Sequence, residues 1–159
     1  MIQRTPAEQD ALYAKLVKRD LWNGPNIPEV VIISAERPHN EFSDNLYFTA
    51  RLEDDIQDLG LAYKRVLGSW LGREEKAFVV VLSGDENKRE GQIADLRLLA
   101  RKYYQDAILH LDKYRQARLY HDTGFEEDIG KFKPTTKAYA LQCAGWTWDV
   151  TEDQYYIVE

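Results

Sequence analysis

The residues best suited to chemistry stand at one hairpin. Glu74 and Glu75 are adjacent carboxylates that open the apolar run Glu75–Leu82, and Tyr63 stands on the facing run Leu61–Leu67. Charge at the mouth of an apolar strand has two readings. Either the pair is a solvated strand end, or one carboxylate turns into a cleft beside Tyr63. Such a cleft suits a cationic ligand, because the carboxylate supplies charge and the aromatic face attracts a cation at low desolvation cost. Three further residues are candidates for substrate contacts. Gln105 marks a helix-to-strand junction, where it is either a capping amide or a ligand contact. Ser34 ends the first core strand. Asn45 opens the first core helix and is either part of its cap or a contact.

Other chemistries find no support in the spacing. No metal-ligand pattern joins His39, His110 and His121, and no phosphate loop or nucleophile elbow occurs. Gly68 and Gly72 lie in a loop that joins two strands and does not open a helix, so they are no dinucleotide fingerprint. The single cysteine, Cys143, reads as a small buried hydrophobe in a strand-like run. Neither a metal nor a cofactor is expected.

The elements that position these residues follow from periodicity. Thr5-Pro6-Ala7-Glu8 starts a helix with a capping box; Leu12, Leu16 and Val17 give it a thin apolar stripe. The helix should end near Asp20, followed by a linker rich in proline. Val30–Ala35 is a buried strand. Phe48, Leu52, Ile56 and Leu59 set a helix over about 45–59, capped by Ser43 or Asp44 and ended by Gly60. After the hairpin, a helix runs over about 92–104 with Ile93 and Leu96 on its apolar face. Ala107–Leu111 and Ala117–His121 read as strands, and 122–134 as an acidic loop. Lys137–Ala144, Trp146–Val150 and Tyr155–Val158 read as short strands, the last two as a terminal hairpin.

This order, β-α-β-β-α-β, predicts a ferredoxin-like α+β domain over 29–159, preceded by a helix and linker over 1–28. Two helices would cover one sheet face. The other, rich in Tyr and Val, would be exposed in a monomer, which is a reason to oligomerise.

The chain has 159 residues and a net charge of −6. That length fits one domain, and the acidity argues against broad binding to nucleic acid or an anionic membrane. The polar N-terminus has no signal-peptide core and no run is long enough to span a bilayer, so a soluble cytoplasmic protein is expected.

The ordered features resemble those of the phage enzymes that degrade S-adenosylmethionine, formerly described as hydrolases and now as lyases. The likeness rests on Ser34-Ala35, a loop with Arg37, Asn45, then Tyr63, Val66 and Gly68, then Glu74-Glu75-Lys76, and finally Ala100-Arg101 before Gln105-Asp106-Ala107. It covers roughly residues 29–120. The resemblance implies a trimer similar to the nitrogen-regulatory PII proteins, with active sites between subunits. It implies cleavage of S-adenosylmethionine to 5′-methylthioadenosine and homoserine lactone, in the host cytoplasm, as an anti-restriction device. It also implies site residues: Glu75 or Glu74 as the substrate-holding carboxylate, Tyr63 beside it, and Ser34, Asn45 and Gln105 as lesser contacts. Two other classes stay open. One is a PII-like trimer that binds an adenine nucleotide without turnover. The other is a phage protein that acts by binding a host enzyme.

Overall fold

The run VVIIS forms Val30–Ser34 (β1), whose β-branched residues suit a strand buried on both faces. It pairs on one side with Arg73–Val81 (β3) and on the other with Ala107–Leu111 (β4), both antiparallel. β3 is also paired with Tyr63–Trp70 (β2). The sheet does not stop there. Gln116–His121 (β5), Glu126–Thr135 (β6), Gly145–Asp149 (β7) and Gln154–Val158 (β8) continue it. The order β1-β3-β2-β7-β8-β6-β5-β4 returns to β1 as a closed antiparallel barrel. Among the described residues four helices accompany it: Pro6–Leu16 (α1), Phe42–Asp58 (α2), Glu86–Lys102 (α3) and Lys137–Ala140 (α4). The structure, a computed structural model, describes residues 4–16 and 28–159, with only the backbone of 15 and 16. Val17, the helix end expected near Asp20 and the linker up to residue 27 lie outside the described residues.

The ferredoxin-like, PII-like architecture is therefore corrected. The element order β1-α2-β2-β3-α3-β4 is present, but its four strands are half of a barrel and not an open sheet. The physical reason is the C-terminal strands. β7 pairs with β2 and β5 with β4, so both edges of the four-stranded sheet are occupied. Closure satisfies the backbone groups that an open sheet leaves at its edges. It also turns the second sheet face into an interior. Val30, Val66, Val79, Leu111, Phe132 and Tyr156 form one buried cluster, which Tyr13 of α1 joins. α2 and α3 cover the outer face, where Ile33, Leu52, Ile56, Phe78, Val80 and Leu96 form the second cluster. The bare sheet face that argued for oligomerisation does not exist.

Local boundaries also moved. β6 replaces the acidic loop, and α4 with a turn replaces the strand expected at Lys137–Ala144. α3 starts at Glu86, where the Asp85 side chain accepts the Lys88 amide at 2.8 Å. Gly68 lies within β2, so the hairpin loop shrinks to Leu71-Gly72. The capping box of α1 is formed: Thr5 Oγ1 accepts the Glu8 amide at 3.1 Å and Glu8 Oε1 accepts the Thr5 amide at 3.3 Å.

Candidate functional site

The site begins where one strand ends too soon. β1 pairs with β3 as far as Ser34↔Ala77, while β3 continues beside β2 down to Arg73. Lys76 is the first β3 residue beyond the reach of β1. Its backbone groups still need partners, and side chains supply them. Ser34 Oγ donates to the Lys76 carbonyl at 2.8 Å. The Glu36 carboxylate accepts the Lys76 amide. Ser34 Oγ also accepts the Glu36 amide at 3.1 Å.

The other candidates converge on the same segment. Gln105, between α3 and β4, donates from Nε2 to the Glu36 carbonyl at 3.0 Å. Asn45, in the first turn of α2, accepts the Arg37 amide on Oδ1 at 3.0 Å and donates from Nδ2 to the Arg37 carbonyl at 3.1 Å. Neither Ser43 nor Asp44 caps α2; the N-cap is Glu41, which makes no side-chain cap bond. Ser34, Asn45 and Gln105 thus fix the backbone of Glu36 and Arg37. Sequence reasoning missed Glu36, which stood in a polar loop. The available signal was its place: an acid two residues after the strand-ending Ser34.

The glutamate pair divides by strand parity. Glu75 lies opposite Gly68 and shares the inward side of β3 with Ala77 and Val79. It is half-buried, at the barrel mouth. Burial pushes its pKa up; Arg73 opposes the rise and Glu36 adds to it. Glu74 lies opposite Ser69 and is exposed.

Tyr63 does not meet either glutamate. It pairs with Val80, far along β3, and belongs to the outer cluster under α2. Its hydroxyl donates to Glu53 at 2.5 Å and accepts from Gln57 Nε2 at 2.8 Å. Burial and the bond to Glu53 raise its pKa. Arg65 also grips Glu53, at 2.8 Å, so this network ties α2 to β2.

Two shallow depressions flank the Glu36 segment. One, with a cavity volume of about 10 Å³, is lined by Glu36, Phe42, Asn45, Leu46, Thr49 and Lys76. The other, also of about 10 Å³, includes Arg97, Arg101, Gln105, Tyr120 and His121. Both fall far below the ~300–1,000 Å³ usual for a small-molecule site. Two exposed rings here carry cations: the Lys76 ammonium lies 5.7 Å from the Phe42 ring centre, and the Arg37 guanidinium 5.0 Å from that of Tyr104. Among the described residues no cluster of three or more His, Cys, Asp or Glu is placed to hold a metal. No helix there is long and apolar enough to cross a membrane.

No curated protein matches the chain. Among protein families, the model described as the S-Adenosylmethionine lyase family matches residues 31–159, which takes in the whole barrel except the first residue of β1 and leaves out α1.

Proposed function

The chain belongs to the S-adenosylmethionine lyase family, and from that membership we propose that it cleaves S-adenosylmethionine to 5′-methylthioadenosine and homoserine lactone. The reaction is an intramolecular displacement. The substrate's carboxylate oxygen attacks its own Cγ, the Cγ–S bond breaks, and the electron pair moves to sulfur. A sulfonium and a carboxylate become a neutral thioether and a neutral ester, and no proton changes hands. The residues therefore have to fold the methionine chain into attack geometry and exclude water. Holding the reacting atoms in a near-attack geometry lowers the barrier to such a step. Removing solvent also favours the step, since charge disappears as it proceeds.

The observation that carries this reading is the convergence at the barrel mouth. The Glu36 carboxylate accepts a hydrogen bond from the amide of Lys76, the residue next to Glu75, and Ser34, Asn45 and Gln105 hold the segment that bears Glu36. Glu75 is the substrate-holding carboxylate, on the ammonium or the ribose. Ser34, Asn45 and Gln105 act through the 36–37 backbone. Tyr63 and Glu74 stand apart from this site. Each depression is too small for the whole substrate, which supports a site completed by a second copy in a homotrimer. The physiological role in this reading is anti-restriction in the host cytoplasm, by starving methyl-transferring restriction systems of their cofactor.

Incubating the pure protein with S-adenosylmethionine tests this. Chromatography should show methylthioadenosine and homoserine lactone in equal amounts, with Glu75→Gln slower by about a hundredfold or more. Sizing of the same sample should give three copies. A parent that binds the substrate without product is a binding module, and one that binds no adenosyl ligand acts by protein contact; either outcome overturns the lyase reading.

A further inference from the structure

The depression beside Glu36 carries features that the displacement itself does not use. The Thr49 hydroxyl oxygen is buried and has no hydrogen-bond partner among the described residues. Buried hydroxyls without partners are uncommon, and one that lines a depression marks a place for a ligand or water. Phe42 is an aromatic ring left 76% exposed on the same depression. The ring already bears an alkylammonium, that of Lys76, whose own side chain is exposed. Glu36 completes the corner with a carboxylate. Its backbone is fixed at both ends by Ser34 and Gln105, so the side chain starts from a defined position.

The geometry points to Glu36, Thr49 and Phe42 as a pocket for the primary ammonium of the substrate's amino acid end. This inference rests on the proposed lyase reading and deepens it. An ammonium has three donors and no acceptor. A carboxylate and a hydroxyl oxygen offer it acceptors, and the ring face offers the cation–π contact that Lys76 now occupies. A sulfonium, which has no N–H, would leave Thr49 unsatisfied. With the ammonium held here, Glu75 is left for the ribose. Cα is then held through one substituent, which leaves fewer torsions to set before its carboxylate meets Cγ.

S-adenosylhomocysteine tests the assignment, because its thioether cannot undergo the displacement. The comparison ligand is its deaminated form, 5′-S-(3-carboxypropyl)-5′-thioadenosine, identical but for the ammonium. Calorimetry on the parent should show a preference for the amine of about tenfold or more. Glu36→Gln should bring the preference to within about twofold, with affinity for the deaminated ligand unchanged. Glutamine keeps a carbonyl oxygen for the Lys76 amide, so the melting temperature should hold. Thr49→Val should cut the preference about threefold to tenfold. If the parent cleaves S-adenosylmethionine but Glu36→Gln keeps the full preference, the ammonium pocket is wrong and the lyase reading stands. If the parent binds neither ligand nor S-adenosylmethionine, both fall.

Discussion

At the scale of single residues, Glu75 carries two opposed effects. Its carboxyl is harder to ionise in the folded chain, through burial and the neighbouring Glu36, with Arg73 offsetting part. As pH rises through the ordinary glutamate range near about 4.3, the unfolded chain gives up this proton first. The unfolded state is then favoured, and stability falls until Glu75 ionises in the folded chain as well. Glu75→Gln escapes that loss. Its melting temperature should exceed the parent's at pH 7, and the gap should close below about pH 4, while cleavage is lost. A gap that is absent at pH 7, or unchanged by acid, would sink this account of the site. The sequence could nominate the pair but not the member. β3 is apolar on both faces, since α2 and α3 cover one and the barrel interior the other, so alternation left the parity of Glu74 and Glu75 open. Glu36 was illegible for a different reason: its role depends on β1 ending opposite Ala77, a register no local pattern encodes.

At the scale of elements, the hairpin that presents Glu75 is joined by an imperfect turn. Leu71 and Gly72 have φ of 52° and 81°, as a two-residue turn matching the strand twist requires. Gly72 adopts this freely, whereas leucine there costs roughly 1 kcal/mol or more. Leu71 is 74% exposed, so little packing is lost on replacing it. Leu71→Asn should stabilise the chain by about 1 kcal/mol, seen as a higher urea midpoint at unchanged slope. A lower midpoint would mean that the leucine makes a contact this turn argument omits. Strong apolar patterns made β1, β4, β7 and β8 readable nearly to the residue. β6 was not readable: Glu126–Asp128 are all exposed, Gly130 and Pro134 interrupt it, and Phe132 is its one fully buried side chain. Its pairing to β5 and β8, not its composition, makes it a strand. The polar start of α3 was lost in the same way, because a solvated helical turn resembles a loop until its cap is seen.

At the scale of the whole molecule, the barrel closes along two seams, β4–β5 and β2–β7, and the second is the weaker in backbone terms. β2 and β7 pair only over Leu67–Trp70. Beyond that stretch Lys64 of β2 reaches Asp149 of β7, with both carboxylate oxygens at 2.8 Å from Nζ. The pair lies on the inward side: Lys64 is opposite Val79, and its ammonium is 5.6 Å from the ring centre of Tyr13 on α1. Asp149 is 1% exposed and also accepts the Glu152 amide at 3.2 Å. A charge pair in an interior is weak evidence of stability, yet breaking it is costly because one charge is left buried alone. Asp149→Asn should therefore cost about 3 kcal/mol in urea unfolding, whereas Lys64→Met with Asp149→Leu should recover most of it. A single substitution costing less than about 1 kcal/mol would show that water reaches the pair and that the seam holds by its strands alone. The pair bears on function through position. β2 lies between this seam and β3, the strand that carries Glu75, and it holds Gly68 opposite that glutamate. Asp149→Asn should consequently weaken substrate cleavage before it unfolds the chain, and the paired replacement should restore both together.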